Sequence, residues 1–152
     1  MTKIGLYILC ALIFWGCTNS ASEKKINKQG IVALGENLKE IRYEPANLNF
    51  KANEDVEITL VNESKHPSLF HNIVFCTFGK TNEIGFKAIS AGKKNRFIPP
   101  GNKDVLMGSE MLKPGDSTTF VFKAPAAGKY SYVRTFPGHY QTMVGTLNII
   151  AE

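Results

Sequence analysis

From Ile31 onward, hydrophobic residues come in short runs separated by turn-forming residues. The run DVEITLVNES is the most regular, with Val56, Ile58 and Leu60 at alternating positions. Such a period of two is typical of a strand with one buried face and one face in water. Further strands are predicted for the runs LNFKAN, HNIVFCTF, STTFVFKAP, GKYSYVRTF and MVGTLNII. The pattern therefore predicts an all-β fold, either a β-sandwich or a barrel.

One stretch, TNEIGFKAISAGKKNRFIPPGNKD, interrupts this pattern. We predict an insertion around 80–103, either a loop or one with a helical turn or two near Ile84 to Ser90. Between Lys80 and Lys103 there are six Lys or Arg residues and one Glu, a local charge of +5 in a chain of net charge +5. This basic stretch predicts either a docking surface for an acidic partner or anionic headgroups, or a solvated loop kept soluble by its lysines.

The first residues are typical of an export signal. Lys3 is followed by an apolar run, Ile4 to Phe14, and then by Cys17. An apolar run this short is typical of a signal peptide rather than of a membrane-spanning helix. It resembles a bacterial lipoprotein signal, in which the cysteine becomes the lipidated first residue of the mature chain. A true N-terminal anchor helix is the alternative.

These features divide the chain into three parts. We predict a lipoprotein signal peptide at 1–16, then the lipidated Cys17 with a flexible polar tether over 17–30, and one domain over 31–152. The predicted location is the bacterial cell envelope, outside the cytoplasm, with the domain held at a membrane surface by its lipid. Nucleic acid is not an expected partner, because neither stacking aromatic residues nor a nucleic-acid-binding motif accompanies the basic residues.

Three side chains form a candidate metal site if the fold is a sandwich. His71 opens one predicted strand, while His139 and Met143 lie in the loop between the last two strands. Two imidazoles and a thioether suit copper, above all Cu(I), better than calcium or magnesium. Pro137 and Gly138 favour a tight turn that presents His139 at one end of the fold.

The loop and the strand before it resemble the cupredoxins, the small blue-copper proteins, and most of all their azurin and auracyanin members. In those members the loop holds a Cys, four residues, a His, three residues and a Met, within CTFPGH or CTVPGH. This chain has RTFPGHYQTM, with the same spacing from Arg134 to His139 to Met143. The upstream ligand of the family begins an HN pair, which matches His71 and Asn72. The resemblance extends over roughly 41–150.

The resemblance implies a Greek-key β-sandwich that binds one copper ion near one end. His71 and His139 would be its nitrogen ligands, and Met143 its weak axial ligand. Asn72 would fix the ligand loop by hydrogen bonds, and the backbone carbonyl of Phe70 would approach the metal. The family transfers electrons and performs no substrate chemistry, so no enzymatic activity is expected. A redox protein, or a copper donor or acceptor, would dock near the metal loop or the stretch Lys80–Lys103.

Arg134 departs from this pattern, because it stands where the family has its cysteine thiolate. A guanidinium offers only hydrogen-bond donors and does not deprotonate in proteins, so it cannot bind a metal. A positive charge about 4 Å from Cu(I) costs roughly 4 kcal/mol at an effective dielectric constant near 20, and twice that for Cu(II). The long stem of Arg134 would allow its head to reach solvent. The sequence therefore predicts an incomplete type 1 site.

Three functions remain open at this point. The first is an electron-transfer copper protein that tolerates Arg134. The second is a non-blue Cu(I) carrier or sensor that uses His71, His139 and Met143. The third is a metal-free interaction module in which Arg134 pairs with a carboxylate, either within the chain or on a partner. Cys76 is not expected to replace the missing thiolate, since it lies five residues after His71 and points to the opposite face of the strand.

Overall fold

A computed structural model describes residues 26–37 and 39–151, which fold into nine strands and one α-helix. A short 3-10 helix, Lys93–Asn95, follows the α-helix. The elements, in chain order, are β1 Ile26–Leu34, β2 Arg42–Glu44, β3 Asn47–Lys51, β4 Asp55–Asn62, β5 Val74–Thr77, α1 Thr81–Ala91, β6 Val105–Gly108, β7 Ser117–Lys123, β8 Gly128–Val133 and β9 Val144–Ile150. The predicted signal peptide, Cys17 and the first part of the tether lie outside the described residues.

The strands form two sheets that pack face to face. One sheet has the order β2-β1-β4-β7, and the other has the order β3-β9-β8-β5-β6. The β1–β4 and β3–β9 pairs are parallel, while the remaining pairs are antiparallel. The predicted all-β Greek-key sandwich, with an insertion between its strands, is therefore confirmed.

Alternating residues of the two sheets fill the space between them. Val56, Ile58 and Leu60 of β4 are fully buried, as their spacing predicts. Opposite them, Phe75 packs against the rings of Phe120, Phe122 and Tyr132, which belong to the same hydrophobic cluster. Burial of this apolar surface is the main force that holds the two sheets together.

The second sheet is also covered on its outer face. Val74 and Cys76 of β5 point away from the central core and are fully buried with Ile84 of α1 and Val133 of β8. The predicted insertion therefore contains a helix of eleven residues, longer than the turn or two expected. This helix covers the outer face of β5 and β8. Burial raises the pKa of the Cys76 thiol to about 12, which keeps this cysteine protonated and inert.

Two predicted boundaries are wrong. The tether was expected to reach residue 30, but β1 begins at Ile26 and pairs with β4 from Asp55 onward. The first half of β1 is polar and only partly buried, so hydrophobic patterning does not reveal it. His71 was expected to open a strand, but it lies in an isolated bridge with Leu112, and β5 begins at Val74. Among the described residues, no helix combines the length and apolarity needed to cross a membrane.

Candidate metal centre

The loop over 134–143 is closed by its own backbone at the end of β8 and the start of β9. The amide of Arg134 donates to the carbonyl of Met143 at 3.0 Å, and the amide of Met143 donates to the carbonyl of His139 at 3.1 Å. Gly138 has a φ of 103°, a left-handed conformation that a residue with a side chain rarely adopts. The Pro137-Gly138 pair thus makes the turn that sets His139 beside the end of β8.

His71 is held rigidly on the other side of this end of the sandwich. Its backbone exchanges hydrogen bonds with Leu112, at 3.0 and 2.8 Å. The ring is fully buried, and its Nε2 lies 2.8 Å from the Ser64 hydroxyl. Among the described residues, His71 Nδ1 is the one buried side-chain nitrogen or oxygen without a hydrogen-bond partner. A buried polar atom left unpaired is unfavourable and calls for an explanation, such as a bound ion.

Arg134 points inward, although it was expected that its head could reach solvent. Only 1% of the residue is exposed. Its Nε donates to the Phe70 carbonyl at 2.9 Å, and one terminal nitrogen donates to His139 Nδ1, also at 2.9 Å. The guanidinium carbon lies 4.9 Å from the centre of the Phe136 ring, a cation–π distance. For the described residues, the alternative in which Arg134 pairs with a carboxylate of this chain is wrong, since a carbonyl and an imidazole take that place. Pairing with a carboxylate of a partner stays a prediction.

The charges of the site follow from its burial. Burial lowers the pKa of Arg134 to about 10, so the guanidinium stays charged at neutral pH. Burial first, and then the charges of Arg134 and His139, lower the pKa of His71 to about 3. Burial and the Arg134 charge also lower the pKa of His139. Both imidazoles are therefore neutral at physiological pH, the form in which imidazole binds metals.

Asn72 ties the His71 segment to the ligand loop. Its carbonyl oxygen accepts from the Thr135 amide at 3.0 Å, while its amide group donates to the Thr135 hydroxyl at 2.7 Å and to the Arg96 carbonyl at 3.1 Å. The backbone carbonyl of Asn72 in turn accepts from the Tyr43 hydroxyl at 2.5 Å. Asn72 has the place and the contacts of a residue that fixes the loop, the role that the resemblance implies.

The predicted site residues lie at one end of the sandwich. Phe70, Arg134 and His139 are linked by direct hydrogen bonds. His71 directly follows Phe70 in the chain, so its backbone adjoins the carbonyl to which Arg134 donates. Met143 is fully buried and shares a backbone hydrogen bond with Arg134. Ligation of a metal by these residues stays a prediction.

Two groups at the site have no signal in the sequence. Ser64, the partner of His71 Nε2, lies in the preceding loop, and its serine resembles any other turn residue. Thr135, whose hydroxyl accepts a hydrogen bond from Asn72 and whose amide donates one to it, follows the loop arginine and has no pattern of its own. Only the folded arrangement brings either residue to the site.

The donors present fit one kind of copper site and not another. A type 1 site needs a thiolate, and Arg134 stands in its place while Cys76 is buried under α1 on the opposite face of β5. The described residues include no cluster of three His, Cys, Asp or Glu side chains that could hold a metal. Two neutral imidazoles with a thioether do fit soft Cu(I), and the unpaired His71 Nδ1 supplies a ready donor.

An aromatic groove of about 390 Å³ lies on the surface beside the loop. Its lining includes Phe70, Phe97 and Phe136, and the centre of the Phe136 ring lies 6.0 Å from that of Phe70 and 5.3 Å from that of Phe97. Lys93, Arg96 and Lys113 also line it. The groove therefore combines apolar surface with positive charge, and its lining residue Phe136 is also the ring that contacts the guanidinium of Arg134.

Comparison with known proteins identifies what this arrangement resembles. Residues 30–150 match a family model described as copper binding proteins, plastocyanin/azurin family. Auracyanin-A of Chloroflexus aurantiacus is 28% identical over 118 residues, which cover 76% of this chain and 72% of the relative. Azurin iso-2 of Methylomonas sp. is 32% identical over 82 residues, covering 52% of this chain and 64% of the relative. Auracyanin-B is 32% identical, but only 47% of its length is covered.

Solved structures agree with the sequence relatives. Reduced auracyanin from Roseiflexus castenholzii superposes with a TM-score of 0.72 at 30% identity, over 82% of this chain and 97% of that one. Auracyanin A, a "blue" copper protein of Chloroflexus aurantiacus, superposes with a TM-score of 0.74 at 26% identity, over 83% of this chain and all of that one.

Proposed function

Because this chain belongs to the copper-binding plastocyanin/azurin family, we propose that it is a membrane-tethered copper protein of the electron-transfer type with an incomplete type 1 site. Copper is the cofactor that the family supports. His71, His139 and Met143 would hold it, and it would supply one-electron redox chemistry. The observation that carries this proposal is the unpaired His71 Nδ1, a buried donor at the family's ligand position.

The residues present favour Cu(I) over Cu(II). All three donors are uncharged, so none of them offsets the extra positive charge of Cu(II). The guanidinium of Arg134 repels the doubly charged ion about twice as strongly as the singly charged one. Without a thiolate, the bound protein is expected to lack the intense blue colour of type 1 copper. These features favour the alternative function, a non-blue Cu(I) carrier or sensor that uses His71, His139 and Met143.

A second candidate is a metal-free interaction module. It is favoured by the contacts of Arg134, which satisfy the Phe70 carbonyl and His139 Nδ1 without any metal. In that case the arginine would replace the ion permanently, and the sandwich would serve as a scaffold. The unpaired His71 Nδ1 argues against this candidate, because a fully adapted metal-free site would satisfy or remove that atom.

The remaining parts of the proposal rest on the sequence. A lipid on Cys17 would hold the domain at a membrane surface of the cell envelope, with a tether that ends near Ile26. A redox protein, or a copper donor or acceptor, would dock over the aromatic groove or the basic stretch Lys80–Lys103. The family transfers electrons, so we propose no enzymatic activity.

Titration of the full-length chain in detergent with Cu(I), against a chromophoric competitor, tests this function. We expect one Cu(I) per chain and no strong blue colour after oxidation. Mutation of a residue that only supports a metal ligand typically weakens metal affinity by roughly 10- to 100-fold. The variant His71→Leu should weaken Cu(I) affinity by more than this. His66→Leu is the matched control, because His66 is exposed in a loop. Absence of bound Cu(I), or equal affinity in both variants, would contradict the proposal.

A further inference from the structure

The guanidinium of Arg134 uses two of the atoms that a copper ion would use. The cupredoxin resemblance directs the Phe70 carbonyl and a ring nitrogen of His139 at the metal, and Arg134 donates hydrogen bonds to the Phe70 carbonyl and to His139 Nδ1. We propose that Arg134 is an internal lock on this site, in which its guanidinium fills the metal position and copper binds only after the guanidinium has left. This inference rests on the proposed copper function and specifies how that function is controlled.

The exclusion follows from the chemistry of one nitrogen. A neutral imidazole has a single lone pair on its unprotonated nitrogen, so Nδ1 of His139 accepts either a hydrogen bond or a metal, but not both. The Phe70 carbonyl has two lone pairs and is less decisive. Arg134 holds Nδ1 at 2.9 Å, which also places the proton of the neutral ring on Nε2. Binding of copper through this nitrogen therefore requires that the hydrogen bond break.

Three contacts keep the lock closed. Two hydrogen bonds from a charged donor, to Phe70 and to His139, are of the stronger class in proteins. The ring of Phe136 adds a cation–π contact on the face of the guanidinium. Little of this is lost to water, since only 1% of Arg134 is exposed.

The lock covers only part of the ligand set. His71 Nδ1 receives no hydrogen bond from Arg134 or from any other described residue. Its lone pair therefore remains available to a metal ion inside the closed site. Copper would therefore find one nitrogen ready and would take the second from Arg134. The apparent affinity is then the intrinsic affinity multiplied by the fraction of molecules in which the guanidinium is displaced. Since two charge-assisted hydrogen bonds hold the closed state, removal of Arg134 should tighten Cu(I) binding by about a hundredfold.

Nitrogen NMR of the full-length chain in detergent tests the lock directly. In the metal-free protein, the Arg134 Nε–H signal should exchange slowly with water, and the His139 Nδ1 signal should report a hydrogen-bonded acceptor. Anaerobic Cu(I), which is diamagnetic, should abolish the Arg134 signal and shift the His139 signal together, and both changes should be complete at one equivalent. Persistence of both signals in the copper-bound protein would overturn the lock while leaving the proposed function intact.

Affinity measurements supply the second arm. Arg134→Leu removes the guanidinium and adds no metal ligand, while Arg42→Leu changes an exposed arginine that pairs with Glu44 on β2. We expect the first variant to bind Cu(I) about a hundredfold more tightly than the natural chain, and the second to match it. Equal affinity in all three chains would overturn the lock.

The two arms also separate failure of the lock from failure of the copper function. Binding to Arg134→Leu alone would support the lock in its complete form and would contradict copper binding by the natural chain. Binding to neither chain would overturn both. Should Arg134→Leu fail to fold, the NMR titration of the natural chain still decides.

Discussion

Strands β5 and β8, and the segments next to them at one end of the sandwich, belong to two regions that are stabilised in different ways. In the middle of the sandwich, Phe75 and Tyr132 are surrounded by aromatic rings at centroid distances of 5.3 to 6.3 Å. The other region is the end of the sandwich with the candidate metal site, the metal end. Here the residues near the two strands are His71 and Arg134, which are equally buried but polar. The middle requires side chains of the right size, whereas the end requires that every buried donor and acceptor have a partner in the right direction.

This difference explains why a ligand can bind at one end of the sandwich and not in its middle. An apolar core loses stability roughly in proportion to the surface removed, and it tolerates changes that conserve volume. A buried polar cluster is more sensitive, because one unpaired group costs the full desolvation of that group. At the metal end the guanidinium of Arg134 satisfies two acceptors and leaves His71 Nδ1 unsatisfied. A ligand that pairs with this nitrogen gains binding energy, whereas the apolar core in the middle offers no such atom.

The largest effect on stability is expected in the middle. Phe75→Ala removes a fully buried ring and leaves a cavity, so the free energy of unfolding should fall by about 3–5 kcal/mol. The copper affinity of the folded fraction should not change, since Phe75 lies in the apolar core. Urea unfolding followed by fluorescence measures the first, and Cu(I) titration the second. Phe86→Ala is the control, because Phe86 of α1 is 67% exposed.

The next largest effect is a dependence of stability on pH that comes from His71 at the metal end and not from the apolar middle. In the metal-free protein His71 stays neutral down to a pKa of about 3, while the unfolded chain takes up this proton near 6.5. The unfolded state therefore binds more protons between these values, and stability that is complete above pH 6.5 is lost on acidification. This proton alone contributes a slope of about 1.4 kcal/mol per pH unit.

Urea unfolding at several pH values checks this dependence on acid. His71→Leu should flatten the slope in that window, whereas the exposed control His66→Leu should keep it. A slope that is the same in all three chains would show that the buried imidazole does not govern the acid sensitivity of the metal end.

A smaller effect is expected where the two regions meet. Asn72→Ala removes three hydrogen bonds, to Thr135 and Arg96, and leaves buried partners unpaired. We expect a loss of about 1–3 kcal/mol in the free energy of unfolding, together with weaker Cu(I) binding as the loop loses its anchor. Asn148→Ala is a matched control, since its amide pairs with Asn49 at an exposed position. Equal losses in the two variants would contradict the anchoring role.

The sequence predicts the middle of the molecule better than its end. Alternation alone identifies β4, because a strand with one buried face repeats every two residues and Val56, Ile58 and Leu60 follow that period. It fails for the first half of β1, whose backbone pairing with β4 needs no apolar side chains. The consecutive apolar residues within HNIVFCTF are typical of a strand that is buried on both faces. The structure shows why, since α1 covers the outer face of β5.

The candidate site was predictable in its positions and not in its contacts. Loop spacing and the HN pair give His71, His139 and Met143, as well as the anomaly at Arg134. The direction of the Arg134 side chain depends on a carbonyl 64 residues away and on an imidazole that the loop turn positions. A guanidinium on a long stem is compatible with solvent or with the interior, so only the folded geometry decides between them.

The smallest effect on stability is expected at the surface, where neither kind of burial operates. Lys93 and Lys94 are exposed beside the aromatic groove, while Lys80, Lys87 and Arg96 of the same basic stretch are paired with glutamates. Reversal of both lysines to glutamate should change the free energy of unfolding by no more than about 0.5 kcal/mol. It should also leave Cu(I) affinity unchanged.

Docking is the property that these two lysines should alter. Retention of the full-length chain on an immobilised polyglutamate peptide should fall in Lys93→Glu/Lys94→Glu at low salt, and the difference should vanish at high salt because screening weakens charge attraction. Lys39→Glu/Lys123→Glu makes the same change in net charge at exposed positions outside the basic stretch. If both double variants lose retention equally, net charge rather than a local surface attracts acidic partners. A loss confined to the first places the docking surface beside the groove, above the buried arginine that distinguishes this site.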